Sequence, residues 1–458
     1  MPADPAHILA EHVCRTIYAD LPEVAVVASK RDILDTLGAA LGGSVAPGID
    51  TLLRLIKHWG GRAESSVLLE REKVPAPQAA LVNAAMGHAL DFDDTLDRAG
   101  SIHPGTSVFA VSFAVAETLG GVSGRDLLLA VTLGLDVSCR VALAATVDRG
   151  WHRTAAMGVF GATAAAGKLL GLSVEQMVHA FGIAYSQAAG TRQCILDGAL
   201  TKRLQAGQAA SSAILAALLA QDNFTGAHQV FAGRYGFFPM YQLDGYNLEA
   251  FDEDLGTIFR GVELSFKPYP CGRPTHAALD VALELYRRLD LASAAAGAEI
   301  AEVLVTTDQQ TYENYFRPGS PKRRPTQVVE AQFSLPFLIA AALALGKIGI
   351  REVAQVDDAR VLALAERISG ASRVDIAKGW TQITVRRVDG RTVTLETSSP
   401  SGSPERPLSD MQLAAKFRDC ASHAARPLAQ ATVEHAIDRI WHLDKAIDTT
   451  ELFRLFCS

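Results

Sequence analysis

Apolar residues recur three and four positions apart through most of the first 262 residues, and strict alternation appears only later in the chain. Segments such as RDILDTLGAALGG, DLLLAVTLGLDVSCRVALAA and AILAALLAQ carry the helical spacing on Ala- and Leu-rich sequence, and both residues favour helix. Small residues at repeated positions let helices approach closely, so the pattern predicts a compact multi-helix domain over residues 1–262. Ser123-Gly-Arg-Asp126 and Ser173-Val-Glu-Gln176 read as helix starts, the second with Gln three residues after the capping Ser. Gly42-Gly43, Gly120-Gly121 and Gly171 read as stops.

The character changes after Glu263. FKPYPCGRPTH holds three prolines and cannot be a regular helix through its length. A helix, THAALDVALELYRRL, is expected next, and then AEIAEVLVTTD, whose β-branched residues fit a strand. RPGSPKRRPTQ is a basic, Pro-rich loop, in which Arg317, Lys322, Arg323 and Arg324 read as a solvated charge run. AQFSLPFLIAAALALG starts a buried helix. TQITVRRVDGRTVTLETS alternates on both sides of Asp389-Gly390 and predicts a hairpin with a two-residue turn. SSPSGSPERP at 398–407 is turn-forming and reads as a linker, after which helical spacing returns in DMQLAAKFRDCA and TVEHAIDRIWHL. The chain therefore divides into 1–262, a mixed segment 263–399, and a helical segment 400–458.

Composition narrows the class. The chain has 458 residues, of which 49% are hydrophobic and 20% charged, so it can bury an ample core. A net charge of −7 gives no electrostatic footprint for nucleic acid, while a small anion needs only a local basic pocket. Six cysteines lie scattered without CxxC spacing, which fits a reducing compartment and argues against a locally built iron–sulfur site. MPADPAHILAEHVCRTIY lacks the basic start of a signal peptide. The longest strongly apolar stretch, 335–346, falls short of the ~20 residues that span a bilayer. A cytoplasmic protein without membrane partners is expected.

Chemistry concentrates in NAAMGHALDFDDTLDRAGSIHPGTS, residues 83–107. It carries His88, Asp91, Asp93, Asp94, Asp97 and His103. Asp91, Asp93 and Asp94 oppose helix continuation, because their short side chains compete for nearby backbone groups. A helix ending near Phe92, a polar loop, and a new helix from about Ser107 are expected. A carboxylate beside an imidazole fixes which ring nitrogen carries the proton and raises the basicity of the other. By spacing alone, an acidic surface loop with a capping aspartate accounts for the same residues.

ALVNAAMGHALDFDDTLDRAGSIHPGTSVFAVSFAVAE resembles the MmgE/PrpD family, which includes 2-methylcitrate dehydratases, cis-aconitate decarboxylases and an iminodisuccinate epimerase. GWHRTAAMGVFGATAAAGKLLGLS, DGALTKRLQAGQAA, SFKPYPCGRPTH and AQFSLPF match further family stretches in the same order, so the resemblance covers nearly the whole chain. It implies a mainly α protein with an α+β part: a large helical domain built from both chain ends and a smaller α+β lid made by the middle. It also implies a homodimer, and chemistry without metal or cofactor on a small di- or tricarboxylate.

Site residues follow from the same resemblance. His103, held on a His-Pro-Gly turn and steered by Asp93, is the expected proton carrier. His152, before an Ala/Gly-rich helix, and Lys202 and Lys267 are expected to bind carboxylates. The GxxG run after His152 follows no convincing strand, so it reads as close helix packing rather than a nucleotide loop. Arg273 and His276 are secondary substrate-binding candidates, or seam residues. Phe337 stands where many relatives have Tyr, which weighs against direct transfer of the cis-aconitate decarboxylase activity, and Gln208 and Ser211 are expected to reshape the pocket. The leading expectation is a dehydratase acting on a 2-methylcitrate-like substrate. The alternatives are a decarboxylase, an epimerase or isomerase, and a non-catalytic carboxylate binder.

Overall fold

In the computed structural model, which describes residues 4–291, 299–316 and 323–457, the helix Pro104–Thr118 has 14 of its 15 residues buried. Its sequence is apolar or small on every side, and a helix with no polar face belongs in the interior. Around it pack the helices Glu23–Gly43, Ala76–Ala89, Gly124–Ala144, Gly158–Leu169 and Thr201–Gln221. Small residues set their spacing. A Cβ on Gly161 would strike Ser138 and the Gly134 carbonyl, so two of these helices touch backbone to backbone. The GxxG run is thus a packing device. Ser123 and Ser173 cap their helices as expected, Ser173 in a reciprocal box with Gln176.

One expectation is corrected here. Gly124–Ala144, at 21 residues, is longer than 335–346 and by length and composition alone could cross a membrane. It is enclosed instead, with 94% of its apolar window buried by the rest of the fold. Inside it, Asp136 and Arg140 pair at 2.9 Å, and the guanidinium is further satisfied by the Glu253 and Ile258 carbonyls.

The helical core takes in Leu264 and Phe266, and a second apolar core begins at Cys271. The crossover between them falls on Lys267. The second core lies between the helices His276–Arg288 and Leu335–Leu345 and a four-stranded sheet. Its strands are β1 (Ile300–Asp308), β2 (Ile368–Arg373), β3 (Thr381–Arg387) and β4 (Thr392–Thr397), in the order β2-β1-β3-β4. β1 pairs parallel with β2, and antiparallel with β3, which puts Val305 beside Ile383. The β3–β4 turn differs from expectation. Arg387 N donates to the Arg391 carbonyl at 2.8 Å, leaving Val388, Asp389 and Gly390 as a three-residue loop. Gly390 supplies the positive φ that such a loop needs.

The 398–407 stretch is pinned rather than free. Phe266 N donates to the Gly402 carbonyl at 2.9 Å, and Ser401 N to Asp280 at 2.7 Å. The chain then returns to the first core through Asp410–Ser422, whose Phe417 and Cys420 lie against Gly38 and Gly42. Of the basic run, Arg317 and Lys322 lie outside the described residues, and Arg324 is exposed and paired with Glu366. Substituting Gly161 by Val forces two touching backbones apart. It should cost about 1–3 kcal/mol in urea unfolding; a wild-type midpoint would refute the contact.

Candidate active site

Two helix ends create the site. The helix Ala76–Ala89 stops three residues before the expected Phe92, because Asp91 takes a left-handed φ of 53°, a conformation that Asp tolerates better than most residues. The next helix starts at Pro104 rather than Ser107, with His103 at its N-cap. Proline suits a first helical position, where its missing N–H would have no partner anyway. The Gly105 N–H, which also lacks a helical acceptor, is taken by the Asp94 carboxylate at 3.2 Å. Thr95 and Ser265 exchange backbone hydrogen bonds at 2.9 and 2.8 Å. That pairing draws the crossover segment along the loop and delivers Lys267 onto Asp91.

The result is one buried polar cluster. Lys202 Nζ donates to Asp91 Oδ1 at 2.7 Å and to His88 Nε2 at 2.9 Å. Lys267 Nζ donates to the Asp91 carbonyl at 2.8 Å, with Asp91 Oδ2 at 3.4 Å and Asp93 Oδ1 at 3.9 Å. His88 Nδ1 meets Asp93 Oδ2 at 2.6 Å, and Thr106 donates to the same oxygen at 2.7 Å. His152 Nδ1 meets Gln205 Oε1 at 2.9 Å, and its Nε2 lies 3.2 Å from His88 Nε2. His103 and His152 rings lie 5.0 and 5.2 Å from the His88 ring.

These contacts fix tautomers. The Nδ1 atoms of His88, His103 and His152 all face oxygen acceptors, so each carries its proton there and leaves Nε2 with a lone pair. For His103 the acceptor is the Asp94 carbonyl; Asp93, expected to steer it, stands 3.7 Å away and is engaged by His88. Burial first, then Lys267, pushes the His103 imidazole down to about 3. Burial and the neighbouring Lys202 push His88 down as well, and burial with His88 does the same to His152. Burial alone would raise Asp91, but Lys202 and Lys267 hold it below the usual carboxylate range. Two carboxylates thus face two ammonium groups, and three neutral imidazoles add no charge.

Asp93, His103, His152, Lys202 and Lys267 therefore meet in one place. Arg273 and His276 take up seam contacts instead: Arg273 grips Asp97 at 2.9 Å and the Ser401 carbonyl at 2.8 Å, and His276 Nε2 meets the Cys271 carbonyl at 3.2 Å. Gln208 is exposed with its amide on Ser212, so it does not shape the cluster; Gln205, one turn earlier, reaches it through His152. Sequence reasoning gave no role to His88, Asp91 or Gln205. The spacing of His88 and Asp93 across a helix end was the available signal for the first. His88, Asp93 and His103 come close enough to offer three ligand atoms to a metal ion. Lys202 donates to His88 Nε2 and Lys267 stands 3.9 Å from Asp93, so two ammonium groups compete with a metal ion for these atoms.

Substituting Lys202 by Met leaves Asp91 dependent on Lys267 alone. Breaking such a buried pair costs about 3–5 kcal/mol. Asp91 is depressed in the folded state, so its contribution is present above the unfolded value near 3.9 and lost as pH falls. The stability gap between wild type and Lys202→Met should therefore be widest at neutral pH and close in acid; a pH-independent gap would refute the pairing.

Two family models cover most of the chain: the MmgE/PrpD N-terminal domain over residues 7–247 and the MmgE/PrpD C-terminal domain over 269–443. Among curated relatives, the human cis-aconitate decarboxylase is 29% identical over 450 residues, covering 95% of this chain and 91% of its own. The mouse cis-aconitate decarboxylase is 28% identical, covering 93% and 88%. The cis-aconitate decarboxylase of Aspergillus terreus strain NIH 2624 is 26% identical, covering 95% and 92%. With both domain models matched in order along a helical domain and an α+β domain, the chain belongs to the MmgE/PrpD family.

Proposed function

We propose that this chain is a lyase that decarboxylates a small unsaturated tricarboxylate of the cis-aconitate type. The carrying observation is the buried meeting of Lys202 and Lys267 with the His88, His103 and His152 imidazoles. The cis-aconitate decarboxylase activity of the relatives supports the same reaction class. Decarboxylation breaks the bond from carbon to one carboxylate, releases carbon dioxide, and leaves an electron pair that takes up a proton to form a new C–H bond. Lys202 and Lys267 would hold the remaining carboxylates and answer the charge developing beside them. His103, with the Nδ1 proton committed to a carbonyl, presents Nε2 as the atom that would take up a proton from solvent and pass it to that electron pair.

Phe337 weighs less against this reaction than its sequence suggests. Its side chain is fully buried in the second apolar core, whereas the Phe333 ring lies 5.7 Å from Lys202 Nζ. A second reading, dehydration of a 2-methylcitrate-like acid, draws support from the paired imidazoles. Loss of water needs one group to take the proton beside a carboxylate and another to protonate the departing hydroxyl, and His88 and His152 stand 3.2 Å apart at Nε2. Homodimerisation, a cytoplasmic location and independence of metals belong to the same proposal.

Chelator-treated protein offered cis-aconitate, 2-methylcitrate and citrate separates the readings. Carbon dioxide release from cis-aconitate supports decarboxylation; a new double bond absorbing in the ultraviolet without carbon dioxide supports dehydration. Solvent deuterium entering a dicarboxylate with neither loss would indicate an epimerase, and a ligand-induced thermal shift without turnover a binding protein. Under the proposal, His103→Ala lowers kcat roughly a hundredfold to ten-thousandfold. Undiminished turnover by that variant would defeat it.

A further inference from the structure

Behind the Asp91–Asp94 loop lies a second set of buried charged groups that the proposed reaction does not use. Asp32 and Asp35 come from the helix Glu23–Gly43, and Lys416 from Asp410–Ser422. Lys416 Nζ donates to Asp35 Oδ1 and to the Phe92 carbonyl, both at 2.6 Å, and stands 4.0 Å from the centre of the Phe92 ring. That ammonium is therefore committed to Asp35. Asp32 is fully buried, yet neither of its carboxyl oxygens has a hydrogen-bond partner among the described residues.

Asp32 and Asp94 converge on one glycine. Both Asp94 oxygens accept the Gly105 N–H at 3.2 Å. The place a Cβ would occupy on Gly105 is filled by the Asp32 oxygens and by Thr36 Oγ1, which also lacks a partner. Facing Asp32 are Asp35, Asp93, Asp94 and Lys416; facing Asp94 are Asp32, Asp35, Asp93 and the Gly105 amide. An ionised Asp32 with no donor, beside an ionised Asp94 whose two oxygens have one N–H between them, would be a costly arrangement in a dry interior. Burial and then the neighbouring carboxylates push both groups up from the usual carboxylate range.

We propose that Asp32 and Asp94 hold one proton between them, and that this pair is a positioning device for His103. Asp94 accepts the Gly105 amide two residues beyond His103, Asp32 fills the space beside the Gly105 Cα, and the Asp94 main-chain carbonyl receives His103 Nδ1. The positioning half rests on His103 as the proton carrier of the proposed reaction. The proton-sharing half does not.

The first test therefore needs no substrate. A carboxyl raised in the folded state binds its proton on folding, so stability falls as pH climbs from the unfolded value near 3.9 through the folded one. Asp32→Asn removes that titration. Its thermal midpoint should decline less than that of the wild type as pH rises, and the infrared band of a protonated carboxyl seen in the wild type at neutral pH should disappear. Equal slopes, or no such band in the wild type, would overturn the shared proton. Should Asp32→Asn fail to fold, Asp94→Asn serves the same comparison. For positioning, Asp32→Ala should lower kcat about tenfold to a hundredfold with KM nearly unchanged, and Asn should restore most of it. Equal losses in Ala and Asn would overturn the positioning role. Failure to find any turnover would count against the proposed reaction while leaving the stability and infrared results decisive.

Discussion

Asp91 is the residue on which the site depends. Its carboxylate holds Lys202 from a helix of the first domain through one oxygen and approaches Lys267, at the crossover to the α+β domain, through the other; its main-chain carbonyl binds Lys267 again. Two buried ammonium groups could not stay in so dry a place without compensation. The left-handed turn at Asp91 aims both acceptors into the cluster. One strained position at a helix end thus joins the two domains and stations the two cations expected to meet a substrate.

The same arrangement leaves the cluster with no surplus charge of its own. Asp91 and Asp93 balance Lys202 and Lys267, and burial keeps the imidazoles neutral. His88 and His152 present facing Nε2 atoms at 3.2 Å, a contact that becomes favourable only with a proton between them. A carboxylate entering this space reverses the balance, since it favours imidazolium over imidazole. Under the proposed reaction, binding and protonation are one event, and the proton arrives where that chemistry spends it.

Much of this was legible in sequence, but unevenly. Helical spacing in Ala- and Leu-rich segments, the Ser123 and Ser173 caps and the alternation around Asp389-Gly390 report local physics, and each is found at its place. Boundaries moved where backbone geometry decided: Asp91 ended a helix early, and Pro104 began the next one early. His103, His152, Lys202 and Lys267 stood out through family motifs. His88 did not, because NAAMGHA reads as an apolar helix face and, Asp93 apart, its partners Lys202 and His152 are brought to it only by folding. Asp91 was hidden for the same reason, its lysines lying 111 and 176 residues away.

The central claim, that a charge-balanced pocket accepts a polycarboxylate by taking up protons, is tested most directly by calorimetry. A non-reacting tricarboxylate such as tricarballylate is titrated into the protein near neutral pH in buffers of differing ionisation enthalpy. The account predicts saturable binding with protons drawn from the buffer, weakening as pH rises. Binding with no proton uptake, or affinity that does not change with pH, would contradict it.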